Sequence, residues 1–360
     1  MAPLPLLGPD DSQNRSAPSD LVGIARLAAL GESISEGHLV EYFSLQTRSI
    51  LNRCTSKRMP FTWTINPYRG CEFACKYCYA RYTHEFMELR DGIDFERKIY
   101  VKQNASAREV KVVGIDDAGI GAQLRRDLKK VKAGEDIAIG TATDPYQPAE
   151  RRFLVTRSIL EELARHEGLE IGIVTKSNLV LRDADLLQTI ARRNRLGVNV
   201  TVTTTDTALA RILEPRAPRP DLRLDAVKQL MAAGISTGVL CAPVLPGITD
   251  TSQNLEGVVR AAAEAGARYV HANPLFLKPC SANVFLPFLE KEFPQLVEQY
   301  RRRYSDGAFV STAYRKRISA LMSVLKKKHG MDRAGRRDIS ALHRLEPKAA
   351  DTVTQLALFS

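Results

Sequence analysis

One stretch of the chain concentrates its reactive side chains. It reads Asn66-Pro67-Tyr68-Arg69-Gly70-Cys71-Glu72-Phe73-Ala74-Cys75-Lys76-Tyr77-Cys78-Tyr79-Ala80 and holds three of the six cysteines, spaced C-x3-C-x2-C. Three thiols so close cannot all pair with one another as disulfides, and such sets select soft metal centres. Zinc would want a fourth ligand, and no second C-x2-C or H-x3-H follows downstream. An iron–sulfur cubane normally takes four thiolates, so three leave one iron open to something else. Cys54 fits no ligand spacing and reads as a structural or incidental thiol.

The elements that must hold this loop follow from hydrophobic patterning. An apolar run at 61–65 predicts a strand before it, and 79–89 a helix after it. Further strands are expected at 136–141, 170–175, 197–204, 236–242 and 268–273, separated by helices at 152–166, 182–193, 223–233 and 252–265. This alternation predicts an α/β fold with a parallel sheet of about six βα units, fewer than the eight of a closed barrel. Ligands in such folds gather at the C-terminal ends of strands. Thr143 and Asp144 there can accept bonds from an ammonium group, and Lys176 can pair with a carboxylate. Thr201, Thr203, Thr204, Thr205 and Asp206 suit a ribose, and the apolar turn 242–247, with Val244, suits an adenine. Taken singly, each is equally well an ordinary strand-end cap.

The loop resembles the C-x3-C-x-aromatic-C motif of the radical S-adenosylmethionine (SAM) superfamily, with Tyr77 at the aromatic position. With Thr143-Asp144-Pro145, Val174-Thr175-Lys176 and Leu213-Glu214-Pro215-Arg216-Ala217-Pro218, it is similar to the branch related to spore photoproduct lyase, over roughly residues 48–330. The resemblance implies a partial (β/α)6 barrel and a [4Fe–4S] cluster on Cys71, Cys75 and Cys78. It also implies SAM on the open iron, near Tyr77, Thr143, Asp144, Lys176, Thr203 and Val244, and cleavage of SAM to a 5′-deoxyadenosyl radical. A reductant such as flavodoxin or ferredoxin would supply the electron. Glu214 and Arg216 are candidate substrate contacts, against a Pro-rich turn as the plainer reading. The lyase branch carries a hydrogen-donating cysteine where this chain has Thr141, and a hydroxyl cannot replace a thiol in that role. Cys241 and Cys280 are candidate substitutes, against the common role of cysteine as a small buried hydrophobe.

Composition bounds the rest. The 360 residues are 44% hydrophobic and 26% charged, which suits a globular protein. No apolar run is long enough to span a membrane, and the N-terminus lacks the pattern of a signal peptide. The cytoplasm is the expected location. The net charge is +11, and residues 281–360 carry 15 Lys and Arg against 8 Asp and Glu. Clusters at 301–303, 315–317, 326–328 and 333–337 would attract a DNA backbone, or are simply solvated helix faces. Gln355, Leu356, Leu358 and Phe359 resemble the bacterial sliding-clamp binding motif, against a tail that docks on its own domain. The expected organisation is a disordered leader (1–20), a helical or irregular lead-in (21–60), the barrel (61–280), a basic helical extension (281–330) and a flexible tail (331–360). Radical chemistry on DNA is the leading functional expectation. The alternatives are radical chemistry on a peptide or small molecule, and a non-catalytic, metal-stabilised nucleic-acid-binding protein.

Overall fold

A computed structural model describes residues 21–332 except 38, 57–58, 90 and 104–118. The leader, the clamp-like Gln355, Leu356, Leu358 and Phe359, and the cations Arg333, Arg336 and Arg337 lie outside the described residues. The strands in chain order are β1 (Ser33–Glu36), β2 (Glu41–Leu45), β3 (Leu51–Arg53), β4 (Trp63–Ile65), β5 (Tyr68–Arg69), β6 (Lys98–Lys102), β7 (Asp136–Ile139), β8 (Glu170–Thr175), β9 (Arg195–Thr201), β10 (Thr237–Val244) and β11 (Val270–Pro274).

The larger sheet has the order β11-β10-β9-β8-β7-β4-β3. Every neighbouring pair from β4 to β11 is parallel, and only β3 runs antiparallel to β4. The six parallel strands are those that the alternation predicts, and they form an open, partial barrel. Side-chain alternation sets the two faces. Trp63 and Ile65 join Ile137 and Ile139 in the main core, while Thr64 and Asn66 turn to the other side of the sheet. Helices such as Val155–Leu163, Ala184–Arg193, Pro220–Ala232 and Ser252–Glu264 return the chain between strands, each burying an apolar face.

Two local expectations are corrected. The lead-in is not merely helical or irregular: it forms the helix Gly23–Ala29 and strands β1 to β3. β1 and β2 join β6 and β5 in a second, four-stranded sheet of order β1-β2-β6-β5. Its parallel β2–β6 pairing links Glu41 to Lys98, a contact too distant in sequence for local patterning to register. The helix expected over 79–89 is a 3-10 turn, Tyr79–Arg81, followed by the four-residue helix Tyr82–Glu85. Arg81, Thr83 and His84 are all buried there, and Glu88 takes a positive φ of 58°, so the segment doubles back against the loop.

The C-terminal part consists of the helices Pro279–Glu292, Val297–Arg303 and Thr312–Lys328. Ser311 caps the last of these by accepting from Tyr314 N (3.3 Å). Tyr314, Ile318, Met322 and Leu325 enter the main core, so this helix belongs to the barrel wall.

Candidate functional site

The cysteine loop leaves the C-terminal end of β4 and is fastened at each turn. Gly70 has φ +83°, and a Cβ there would lie 2.8 Å from Lys98 O and 2.9 Å from Phe95 O, so only glycine fits. Thr143 Oγ1 donates to the Gly70 carbonyl (2.6 Å), and Gln147 Nε2 donates to both (3.2 and 2.9 Å). Gln147 Oε1 in turn accepts from Glu72 N (3.0 Å). Arg81 Nη2 donates to Cys75 O (3.0 Å) and to Glu96 Oε2 (2.6 Å). Lys76 N donates to Leu213 O, and Arg216 N to Phe73 O.

Two apolar clusters enclose the thiols. Cys75 packs among Phe73, Tyr77, Leu213 and Leu245, and Cys71 and Cys78 lie against both that cluster and the one formed by Ala80, Phe95 and Ala142. Burial pushes the Cys75 thiol up to about 12 and raises Cys71 as well. Such thiols are poor anions unless a cationic centre compensates them, and a metal centre supplies that charge. Among the described residues no three His, Cys, Asp or Glu groups converge on a single metal ion. The donor set nevertheless fits a cubane, in which each thiolate binds a separate iron.

Beneath Tyr77 lies a buried polar knot. Its hydroxyl donates to Glu214 Oε1 and lies 3.1 Å from Thr203 Oγ1, which also donates to Glu214 Oε1 (2.9 Å). Glu214 Oε2 pairs with Arg223 Nη2 at 2.5 Å, both side chains about 1% exposed. Arg223 is held in turn by the carbonyls of Pro218 and Thr201. Burial opposes charge on Glu214, but Arg223 and Lys176 outweigh it and hold the carboxyl below its ordinary range. Lys176 Nζ sits 5.6 Å from the Tyr77 ring centroid. Burial opposes its charge too, yet Cys75 and Glu214 raise its pKa above the usual lysine value.

The structure sorts the sequence-derived candidates. Cys71, Cys75, Cys78, Tyr77, Lys176, Thr203 and Glu214 come together around one loop. Thr143 is spent on the Gly70 carbonyl. Asp144 accepts from Thr175 Oγ1, Lys176 N and Tyr146 N (2.7, 2.7 and 2.9 Å), which ties the ends of β7 and β8. These contacts give both of them a bracing role. Glu214, expected on a loop facing substrate, is instead enclosed with Tyr77 and Arg223. Arg216 braces the loop, with Nη1 on Glu96 O (3.3 Å). Val244 is wholly buried, and so is Cys241, whose Sγ points to Thr203 O at 3.9 Å. Cys280 is half-buried at the start of its helix, next to Ser281, which donates to Cys78 O (2.9 Å).

Several contributors escaped the sequence reading. Gln147, Arg81, Glu96 and Arg223 carry no motif of their own. Tyr79, adjacent to Cys78, donates to Thr141 O and is 41% exposed. Its ring centroid is 6.5 Å from that of Phe276, which is 4.5 Å from Phe309, itself 48% exposed. Lys278 Nζ lies over the adjoining Tyr82 ring at 3.8 Å. Aromatic residues flanking the motif were the available signal. The C-terminal cations, by contrast, are partly neutralised. Arg317 pairs with Asp250 (2.7 Å), Lys328 with Glu256 (2.6 Å) and Arg301 with Glu290 (2.9 Å).

Comparison with known proteins agrees with this geometry. The family model of the radical SAM superfamily matches residues 65–260. An uncharacterised protein of Mycobacterium tuberculosis is 33% identical over 292 residues, covering 81% of this chain and 81% of its own. An uncharacterised protein of Methanocaldococcus jannaschii is 26% identical over 266 residues, covering 74% and 86%. Among solved structures, spore photoproduct lyase complexed with dinucleoside spore photoproduct superposes with a TM-score of 0.57 at 15% identity, covering 81% of this chain and 80% of that one. The same lyase with bound S-adenosylmethionine and photoproduct gives 0.55 at 15%, covering 78% and 77%. No helix among the described residues is long and apolar enough to cross a membrane.

Proposed function

The chain belongs to the radical SAM superfamily, and on that premise we propose that it carries out radical chemistry on a base in DNA, of the repair type. When bound, a [4Fe–4S] cluster and SAM supply one-electron cleavage of the cofactor to a 5′-deoxyadenosyl radical. Cys71, Cys75 and Cys78 hold the cluster, and the Thr143–Gln147 clamp on Gly70 O keeps their loop in position. Lys176, whose amine has no carboxylate within bonding distance among the described residues and lies over Tyr77, would meet the SAM carboxylate. Glu214 and Arg223 are positioning residues that fix Tyr77. Cys280 is the better-sited of the two candidate thiol donors, since Cys241 is sealed beneath Thr203.

The observation that carries the nucleic-acid reading is the aromatic file Tyr79–Phe276–Phe309 beside Lys278. It starts at the cluster loop and ends exposed, which suits bases stacking on rings with a cation near their backbone. The nucleotide-derived ligand in the lyase that shares the fold lends support. The test is anaerobic. Reconstituted, reduced protein with SAM releases 5′-deoxyadenosine, and Cys75→Ala does not. Phe309→Ala weakens single-stranded DNA binding by about tenfold, since stacking is worth roughly 1–3 kcal/mol per base. Loaded, reduced protein that yields no 5′-deoxyadenosine would sink the catalytic reading. Wild type that ignores DNA would move the substrate to a peptide or small molecule.

A further inference from the structure

Arg81, Lys102 and Arg223 are the buried lysine and arginine side chains among the described residues. Two of them have a carboxylate at bonding distance: Arg81 has Glu96 at 2.6 Å and Arg223 has Glu214 at 2.5 Å. Lys102, 3% exposed at the end of β6, has none among the described residues. Beside it on the paired strand β5 stands Arg69, whose Nε is buried without a hydrogen-bond partner. Both cations line a recess with Asn52, Asn66, Tyr68, Thr83 and Ala142, and among the described residues no acidic side chain contributes to its wall. Burial, with Arg69 beside it, pushes the Lys102 amine down to about 7.

A buried cation without a counter-charge is costly, and two lining one space demand an anion. The recess also borders the turn that supports the cysteine loop. Asn66 follows β4, accepts from Ala142 N (2.8 Å) and donates to Thr141 Oγ1 (3.3 Å). Ala142 packs against Cys71 and Cys78 on its other side. Thr141 O accepts from Tyr79, the first ring of the aromatic file.

We infer that Arg69 and Lys102 form an anion seat behind the Thr141–Ala142 turn, which takes a phosphodiester oxygen of the nucleic-acid strand whose bases stack on Tyr79, Phe276 and Phe309. The inference rests on the nucleic-acid reading above and adds to it the point at which the backbone is gripped. A phosphodiester suits the seat because it is a monoanion that can present one free oxygen to a recess of about 10 Å³, where the Arg69 guanidinium, the Lys102 ammonium, Asn66 and Thr83 border the same space. The grip holds the strand in register beside the cluster loop, and the bases next to it reach the rings.

The test uses reconstituted full-length protein, wild type, Lys102→Met and Arg69→Gln. Two readouts are taken: melting temperature with inorganic phosphate against chloride at matched ionic strength, and anisotropy of a labelled single-stranded oligonucleotide across a salt series. The expected result is that phosphate raises the melting temperature of wild type alone. Each variant then binds the oligonucleotide about tenfold more weakly, with a salt slope lower by about one. Lys102→Met removes an unpaired buried charge, so without phosphate it melts above wild type, which separates loss of the seat from loss of the fold. Phosphate stabilisation confined to wild type, with no oligonucleotide binding, upholds the seat and overturns the nucleic-acid reading. Oligonucleotide binding that is equal in all three proteins, with no phosphate effect, overturns the seat and leaves that reading standing.

Discussion

Replacing Glu214 with Gln tests whether the knot beneath Tyr77 is what holds the cluster loop. The substitution preserves shape and most hydrogen bonding but removes the charge facing Arg223, 2.5 Å away in a site where both side chains are about 1% exposed. Breaking a buried ion pair from one side costs about 3–5 kcal/mol, because the remaining charge is left uncompensated. Gln can still accept from Tyr77 and Thr203, so the lower end of that range, about 3 kcal/mol, is expected. Arg223→Met alone should cost a similar amount. The double variant should be milder than the sum by about 2 kcal/mol, since neither charge is then stranded. Urea unfolding of the reconstituted enzyme, followed by cluster absorbance and circular dichroism together, measures all three, and SAM-dependent 5′-deoxyadenosine release reports the site. A cost below about 1 kcal/mol for Glu214→Gln, or strict additivity in the double variant, would refute the reasoning.

Three further outcomes follow from the same geometry. Lys176→Met should raise the KM for SAM at least tenfold while cluster absorbance stays at the wild-type level; a loss of cluster instead would mean that Lys176 serves the thiolates, which it also faces. Thr143→Val deletes the 2.6 Å bond to Gly70 O, so it should lower cluster occupancy after reconstitution and cost about 1 kcal/mol, with SAM affinity per loaded protein unchanged. His84 provides a pH signature, because burial lowers its pKa from 6.5 to about 3. The folded state then keeps it neutral while the unfolded state takes up a proton, so its contribution is complete above about pH 6.5 and falls by about 1.4 kcal/mol per unit as pH drops toward 3. Urea midpoints between pH 7 and 5 should decline in wild type and less steeply in His84→Gln; parallel profiles would remove His84 from the account.

The proposed aromatic file and anion seat place the proposed polyanion contact away from the basic C-terminal residues. The run of basic residues after position 281 invited that role, yet Arg301, Arg317 and Lys328 each have a nearby carboxylate, and Arg303 lies over the Tyr314 ring. Exposed pairs of this kind contribute little to stability, but they lower the net field of that face. Lys102 shows the opposite case. It is one of two lysines in a short strand, KIYVK, with nothing in its neighbours to mark it, and its meaning depends on the lack of a paired carboxylate among the described residues.

What the sequence determined by itself is the chemistry and the repeat that carries it. The proposed ligation by Cys71, Cys75 and Cys78 is read from spacing within eight consecutive residues, and the βα alternation from periodicities that a single strand or helix displays in full. Both are local properties, so the metal-binding loop and the partial barrel are legible before any folding is known. The small sheet built by β2 and β6, the turn at 79–85 in place of a longer helix, and the roles of Thr143 and Glu214 as braces were not legible. Each depends on groups far apart in the chain: Tyr77 meets Glu214 across 137 residues, Thr143 meets Gly70 across 73, and Glu72 N meets Gln147 across 75. A buried charge is favourable or costly according to whether a counter-charge sits within a few ångströms, and only the packed chain fixes those distances.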